Sequence, residues 1–213
     1  MANHRRAPTF AEERALAALG YRLVAGVDEV GRGALVGPVV AAAVILPARV
    51  RTRWAKRVRD SKQLTAASRE FLFDRIKELA VSFATGLSSH EVIDAEGIAR
   101  ATRLAMKSAI EQLAPGPEYL LVDYLRLPEV PLPQKGITDG DSLCFSIACA
   151  SIIAKVTRDR MMVALDGIYP GYGLAAHKGY GTRRHLDCLR RLGPCPVHRR
   201  SFQPVRQAVE RLA

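Results

Sequence analysis

No two of the four cysteines in this 213-residue chain stand in C-x-x-C spacing, which argues against a zinc site or a disulfide framework. Cys144, Cys149, Cys188 and Cys195 read instead as reduced core thiols. Long apolar runs are missing too. The longest, Val36 to Leu46, is interrupted by Gly37 and Pro38 and falls far short of a bilayer span. Met1 to Arg6 lead into Glu12 and Glu13 rather than an apolar stretch, so neither a leader nor a membrane anchor is read and a cytoplasmic protein is expected. There is no internal repeat, low-complexity tract, long linker or heptad seam. Hydrophobic residues at 48% and charged ones at 25% exclude a disordered chain. The length suits one large domain, or one domain with a small appendage.

Acidic residues are the other deficit. Asp and Glu number 21 against 32 Lys and Arg, a formal charge of +11. Such a surplus suits a polyanion, most simply a phosphate backbone; the competing reading is a basic protein with no such partner. Clustering favours the first. Arg49, Arg51, Arg53, Lys56, Arg57 and Arg59 share one stretch, and Arg183, Arg184, Arg190, Arg191, Arg199 and Arg200 crowd the C-terminal part. Clusters of this kind follow a backbone without reading its sequence.

Hydrophobic patterning predicts strands at Tyr21 to Val27, ending at Asp28-Glu29, and at Val39 to Leu46. Thr65 is read as the N-cap of a helix from Ala66 to Ala80, with Leu72, Ile76 and Leu79 on one face. A third strand follows at Val81 to Ser88, then an amphipathic helix from Ile98 to Leu113, broken by Pro115-Gly116-Pro117. Short strands at Tyr119 to Asp123 and Lys135 to Thr138 lead to a long, centrally packed helix from Ser142 to Leu165. A glycine-rich loop from Tyr169 to Tyr180 precedes two short helices. The pattern is an α/β sheet with helices packed on it and a small C-terminal helical lobe.

Three expected strands end in acids: Asp28-Glu29, Asp123, and the Asp139/Asp141 pair. Strand ends at one edge of an α/β sheet converge on a common crevice. Carboxylates gathered there repel one another unless a cation compensates, and hard divalent ions such as Mg²⁺ or Mn²⁺ suit oxygen ligands. Acids in basic surroundings fit phosphodiester hydrolysis, where two metals roughly 4 Å apart activate water and stabilise the leaving oxygen. Singly, Asp141 reads equally well as a helix cap, Asp123 as a turn residue, and Asp28-Glu29 as an exposed pair. Neighbouring strand residues also point to opposite faces, so Asp28 and Glu29 share an ion only if the chain turns there, as Gly31 would permit. Gly31-Arg32-Gly33 is not a dinucleotide fingerprint, because an apolar strand follows it rather than a helix.

Gly26-Val27-Asp28-Glu29-Val30-Gly31-Arg32-Gly33, followed by Gly37-Pro38-Val39, resembles the opening signature of ribonuclease HII. Asp60-Ser61-Lys62-Gln63-Leu64 resembles that family's DSKxL segment. The run from Gly140-Asp141-Ser142 through Ala154-Lys155-Val156-Thr157-Arg158-Asp159-Arg160 resembles its central helix, and His177-Lys178-Gly179-Tyr180-Gly181-Thr182 its late loop. The blocks occur in family order across Tyr21 to His185.

The resemblance implies an RNase H-like fold with a mixed central sheet, a catalytic domain at residues 18–180 and a packed helical extension at 181–213. It implies hydrolysis of the RNA strand of RNA/DNA hybrids and incision 5′ of single ribonucleotides in duplex DNA, leaving 3′-hydroxyl and 5′-phosphate ends. Ribonucleotide excision repair and RNA primer removal follow from that activity. Asp28, Glu29, Asp123 and Asp141 match the family's catalytic, metal-binding carboxylates, and Gly31, Arg32 and Gly33 its ribose 2′-hydroxyl sensor, with Tyr180 beside it. That hydroxyl is the group that tells RNA from DNA. Lys62, Lys155 and Arg158 are the expected phosphate contacts, and His177 is considered as an assisting base. Tyr124 and Asp139 depart from the family pattern, and Asp159 is read as a local anchor for Arg158 or Arg160. The tail from Ser201 to Ala213 reads as an amphipathic helix without a sliding-clamp docking sequence. A monomer with no obligate protein partner is expected. The contrasting readings are another nuclease of the same superfamily, or a basic RNA-binding protein whose acids are caps and turns.

Overall fold

Small and β-branched residues make β2 (Val39–Ile45) a strand buried along its whole length. With period-two alternation, Val39, Ala41, Ala43 and Ile45 face one hydrophobic core while Ala42 and Val44 face another. The computed structural model describes residues 7–211; residues 1–6, where no leader is read, and 212–213, the last two of the expected tail helix, lie outside them. The chain runs α1 (Ala11–Ala18), β1 (Val24–Val30), β2, two 3-10 turns (Arg53–Arg57 and Ser61–Gln63), α2 (Ala66–Leu79), β3 (Ser82–Ser88), α3 (His90–Glu96) and α4 (Ile98–Glu111). It continues through β4 (Tyr119–Asp123), β5 (Gln134–Ile137), α5 (Gly140–Leu143), α6 (Phe145–Ile168), α7 (Leu174–His177), α8 (Arg183–Leu192) and α9 (Gln203–Glu210). Among the described residues no helix is long and apolar enough to cross a membrane.

The sheet is mixed, in the order β3-β2-β1-β4-β5, with β1 antiparallel to β2 and parallel to β4. α4 covers one face through Ala101, Ala105, Met106 and Ala109; α2 and α6 cover the other through Leu72, Ile76, Ile152 and Ile153. Both layers press close. A Cβ on Gly26 would stand 2.2 Å from the Ser146 carbonyl carbon of α6, and one on Gly86 2.2 Å from the Ala105 oxygen of α4.

Five local expectations change, the first being that the loop from Tyr169 to Tyr180 carries the four-residue helix α7. β1 does not stop at Asp28-Glu29 but pairs with β2 through Val30. α1 and α3 were not expected: α1 buries only Leu16, so it shows no apolar stripe, and α3 is a seven-residue helix capped by the Ser89 hydroxyl. The long helix is divided at Cys144, whose extended backbone (φ −111°, ψ 126°) separates α5 from α6. Thr9 wedges there, its amide donating to the Leu143 carbonyl and its carbonyl accepting from the Phe145 amide, each at 3.0 Å. Glu13 then accepts the Ser146 amide at 2.8 Å, satisfying a donor at the new helix start. All four cysteines are free and buried, and burial beside Glu13 pushes the Cys144 thiol up to about 12.

α8 and α9 enclose a further core in which Cys188, Leu189, Val205 and Ala208 meet Leu35, Val36 and Met162. Inside it the Cys195 amide donates to His198 Nδ1 at 3.0 Å. His198 therefore carries its proton on Nε2 and donates it to His185 Nε2 at 3.2 Å; His185 in turn donates from Nδ1 to the Tyr180 carbonyl at 2.9 Å. Burial, with the His185, Arg200 and His177 charges against it, pulls His198 from 6.5 down to about 4. Between those values only the unfolded chain takes the proton. The stabilisation from neutral His198 is thus complete above pH 6.5 and is lost as pH falls towards 4. Denaturant titrations at pH 7 and pH 5 should show a loss of about 2 kcal/mol in the native protein that is absent from His198→Gln. Equal losses in both would remove the relay as its source.

Candidate active site

The parallel register Val27↔Val122 sets Asp28 level with Asp123, the last residue of β4, so Glu29 lies past the end of the neighbouring strand. Side chains from both faces of β1 can bend into the space β4 has left. Carboxylate oxygens of Asp28, Glu29 and Asp123 all lie within 4.8 Å of one another, without the backbone turn that the alternation of strand side chains requires on paper. Past β5, Asp139 adopts a left-handed conformation (φ 54°) that swings the Gly140 amide onto Asp123 Oδ1 at 2.7 Å. A Cβ on Gly140 would stand 2.7 Å from Ile147 Cδ1 and 3.1 Å from Asp123 Oδ1, so a larger residue would crowd that approach.

The cluster is half-buried, with Asp28 at its closed end and Glu29 and Asp123 partly exposed. Asp28 is 4% exposed, and burial together with the Glu29 and Asp123 charges holds its carboxyl well above the usual range, against hydrogen bonds from Ser151 and the Glu29 amide. Glu29 is raised by burial and Asp123 against the pull of Arg32, whose Nη1 stands 3.4 Å from Glu29 Oε1. Burial, with Asp141 and Asp139, raises Asp123. Glu29 Oε2 is buried without any hydrogen-bond partner. Hard oxygen donors, mutual repulsion and an orphaned carboxylate oxygen are what a divalent cation would satisfy, so these residues fit an Mg²⁺ or Mn²⁺ site.

Asp141, on α5, stands outside the tight triad although its charge reaches Asp123. Its Oδ2 lies 3.6 Å from Lys62 Nζ, and burial beside Asp60 raises its carboxyl. Sequence reasoning missed Asp60 as an acid of this site, although it lies in the quoted DSK segment. It caps the 3-10 turn through the Lys62 amide at 2.9 Å while facing Asp141. Ser151, whose hydroxyl bonds Ser61 at 2.9 Å as well as assisting Asp28, was also unassigned. Lys62 itself is 80% exposed along its side chain.

Gly31, Arg32 and Gly33 come together with Tyr180. Ala34 forms an antiparallel bridge with Tyr180, and the Leu35 amide donates to the Gly179 carbonyl at 2.8 Å. Beside Tyr180 opens a cleft of about 620 Å³ lined by Arg69, Lys155, Asp159, Arg160 and His177; none of the four carboxylates lines it. Lys155 Nζ is engaged by Asp159 at 2.7 Å. Asp159 thus anchors Lys155 and, at 3.6 Å, Arg69, rather than Arg158 or Arg160. Two basic side chains lie elsewhere than expected. Arg158 is fully buried and donates to three backbone carbonyls, so it has no face for a phosphate; Arg199, counted in the basic C-terminal cluster, is fully buried as well. His177 lines this cleft, but its Nε2 bonds the Tyr172 carbonyl at 2.8 Å, its Nδ1 accepts the Gly179 amide at 3.3 Å and its ring stacks on His185 at 4.4 Å, so both ring nitrogens are engaged within its own loop and neither is free to assist as a base.

A sequence model of the family described as ribonuclease HII matches residues 25–205. Ribonuclease HII of Dehalococcoides mccartyi is 57% identical over 205 residues, covering 96% of this chain and 97% of that protein. Among solved structures, the ribonuclease H2 of Pyrococcus horikoshii OT3 superposes with a TM-score of 0.75 at 28% identity, over 88% of this chain and 97% of that one. The Archaeoglobus fulgidus RNase HII, solved in complex with PCNA, gives 0.72 at 27% identity, over 87% and 96%. Matched by the family's model over most of its length and more than half identical to one of its members, the chain belongs to the ribonuclease HII family, metal-dependent hydrolases of the ribonuclease H type 2 class.

Proposed function

We propose that this protein cuts the RNA strand of RNA/DNA hybrids and incises duplex DNA on the 5′ side of a single embedded ribonucleotide, leaving 3′-hydroxyl and 5′-phosphate ends. The observation that carries the reading is the carboxylate triad of Asp28, Glu29 and Asp123 adjoining the Gly31–Gly33 loop and Tyr180. Asp28, Glu29 and Asp123, with Asp141 beside them, would hold two Mg²⁺ or Mn²⁺ ions. Such ions supply charge for activating water and for the departing 3′ oxygen. The chain's own residues position the strand. Glu29 ties Arg32 beside the cluster, Tyr180 and the loop flank the ribose, and exposed Lys62 approaches the phosphate next to Asp141. Lys155 serves the backbone further along the cleft. Residues 18–180 act as the catalytic unit and 181–213 as an extension packed on it, with the exposed arginines 183, 184, 190 and 191 following the duplex. A cytoplasmic monomer needing no partner protein completes the reading, as the sequence has no heptad seam.

The test uses labelled duplexes with one ribonucleotide, with none, and with a full RNA strand, in Mg²⁺, Mn²⁺ or chelator. Expected is metal-dependent incision 5′ of the ribonucleotide, cleavage of the hybrid, none of all-DNA, and loss of both in Asp123→Asn. Cutting of all-DNA would replace this reading with a less selective nuclease; tight binding without cleavage in any metal would leave a binding protein.

A further inference from the structure

Arg158 and Arg199 are the two largest side chains with no exposed surface at all (0% each), and both are cations. The ion pairs nearest Arg158, Lys155–Asp159 and Arg69–Asp159, leave it out, while Asp94 acts on Arg199 only at longer range. Burying a guanidinium without a carboxylate is costly unless its donors are satisfied. Here the acceptors are backbone carbonyls of one loop and its neighbour, which satisfy all three nitrogens of Arg158 and two of the three of Arg199, whose Nη2 is buried without a partner. Arg158 donates to Val36 at 3.0 Å, Pro38 at 3.0 Å and Lys178 at 2.9 Å, which ties the loop after β1 to the segment carrying Tyr180. Arg199 donates to Gly37 at 3.0 Å and to Arg32 at 2.8 Å, and its amide bonds the Leu35 carbonyl at 2.8 Å. Gly31 makes room: a Cβ there would stand 2.1 Å from Arg158 Nε.

The Arg32 contact has a directional consequence. In a trans peptide the C=O and N–H point opposite ways. With the Arg32 carbonyl drawn inward onto Arg199, the Gly33 N–H of the same peptide points outward. Gly33 is exposed, and among the described residues its amide has no acceptor. A guanidinium on the carbonyl also polarises the peptide and strengthens that N–H as a donor.

We infer that Arg199 is a positioning residue for substrate choice: by holding the Arg32 carbonyl inward it presents the Gly33 amide to the ribose of the nucleic acid. Arg158 fixes the following stretch of the same loop at Val36 and Pro38 and ties it to Lys178, beside Tyr180. The inference rests on the proposed ribose-sensing role of the loop and adds the buried cation that aims it.

Binding in Ca²⁺, compared for duplex DNA with one ribonucleotide and for all-DNA, separates the two. Arg199→Lys keeps the charge but not the planar fork; it should lose about tenfold in affinity for the ribonucleotide duplex and leave all-DNA affinity unchanged. A purely architectural role would weaken both duplexes alike, and that result, or unchanged preference, overturns the inference. Arg199→Gln carries the same readout should the lysine variant not fold. In the unmodified protein the Gly33 amide resonance should shift with the ribonucleotide duplex alone; a resonance that stays put overturns the inference without any variant. Absence of ribonucleotide preference in the unmodified protein would overturn the ribose-sensing reading itself, and this inference with it.

Discussion

Asp28→Asn is expected to raise the melting temperature of the metal-free protein while abolishing its cleavage of an RNA/DNA hybrid. The two effects have one cause. Asp28 is buried against Glu29 and Asp123, and its proton is held more tightly in the folded than in the unfolded chain. At neutral pH the ionised carboxylate therefore opposes folding, and neutral asparagine removes that opposition while its Oδ1 can still accept the Glu29 amide now bonded at 2.7 Å. The gain should be on the order of 1–2 kcal/mol, or about 2–4 °C for each kcal/mol in a chain of this size. Cleavage should fall roughly a thousandfold or more, because a hard anionic ligand is lost from the cluster. Calorimetry in chelator and then in Mn²⁺ reads both sides: the ion should stabilise the unsubstituted protein more than the variant. A lower melting temperature for Asp28→Asn in chelator would mean that the hydrogen bonds at Asp28, not its charge, dominate the fold there.

Gly26→Ala should destabilise the protein by on the order of 3 kcal/mol or more. The new methyl would lie 2.2 Å from the Ser146 carbonyl carbon, 2.4 Å from the Ile147 nitrogen and 2.5 Å from the Ser146 oxygen. These are backbone atoms of α6, so no side-chain rotation relieves the contact and the strand and helix must part. β1 carries Asp28 and α6 carries Ser151, so cleavage should fall along with stability. Gly167→Ala is the opposite case: it lies in α6 with nothing within 4 Å of its would-be Cβ, and should gain roughly 0.5–1 kcal/mol from helix propensity. Urea midpoints for the two variants should move in opposite directions; a Gly26→Ala midpoint close to that of the unsubstituted protein would show that α6 can shift at little cost.

Much of the architecture was legible because its signals are local. β2 reads as a strand from a run of Val, Ala and Ile, and α2 starts at the predicted Thr65, whose hydroxyl accepts the Ser68 amide. The acids stood out as chemistry at strand ends, since carboxylates closing apolar runs need a reason to be there. What was not legible depends on partners distant in sequence. Cys144 breaks the long helix because Thr9 wedges into it, and no pattern within the helix announces a strand-like contact from the other end of the chain. Asp28 and Glu29 converge because β4 ends beside them, a fact of register between strands. Arg158 and Arg199 misled for the same reason. A cation in a helix or a basic cluster reads as solvated, and only the folded chain supplies the carbonyls that make burial tolerable. The sequence by itself determined which elements form and which chemical groups the site contains. The tertiary structure alone decided which of those groups meet and which cations face inward, because carboxylate repulsion and guanidinium burial are settled by distances between elements, not by residues adjacent in the chain.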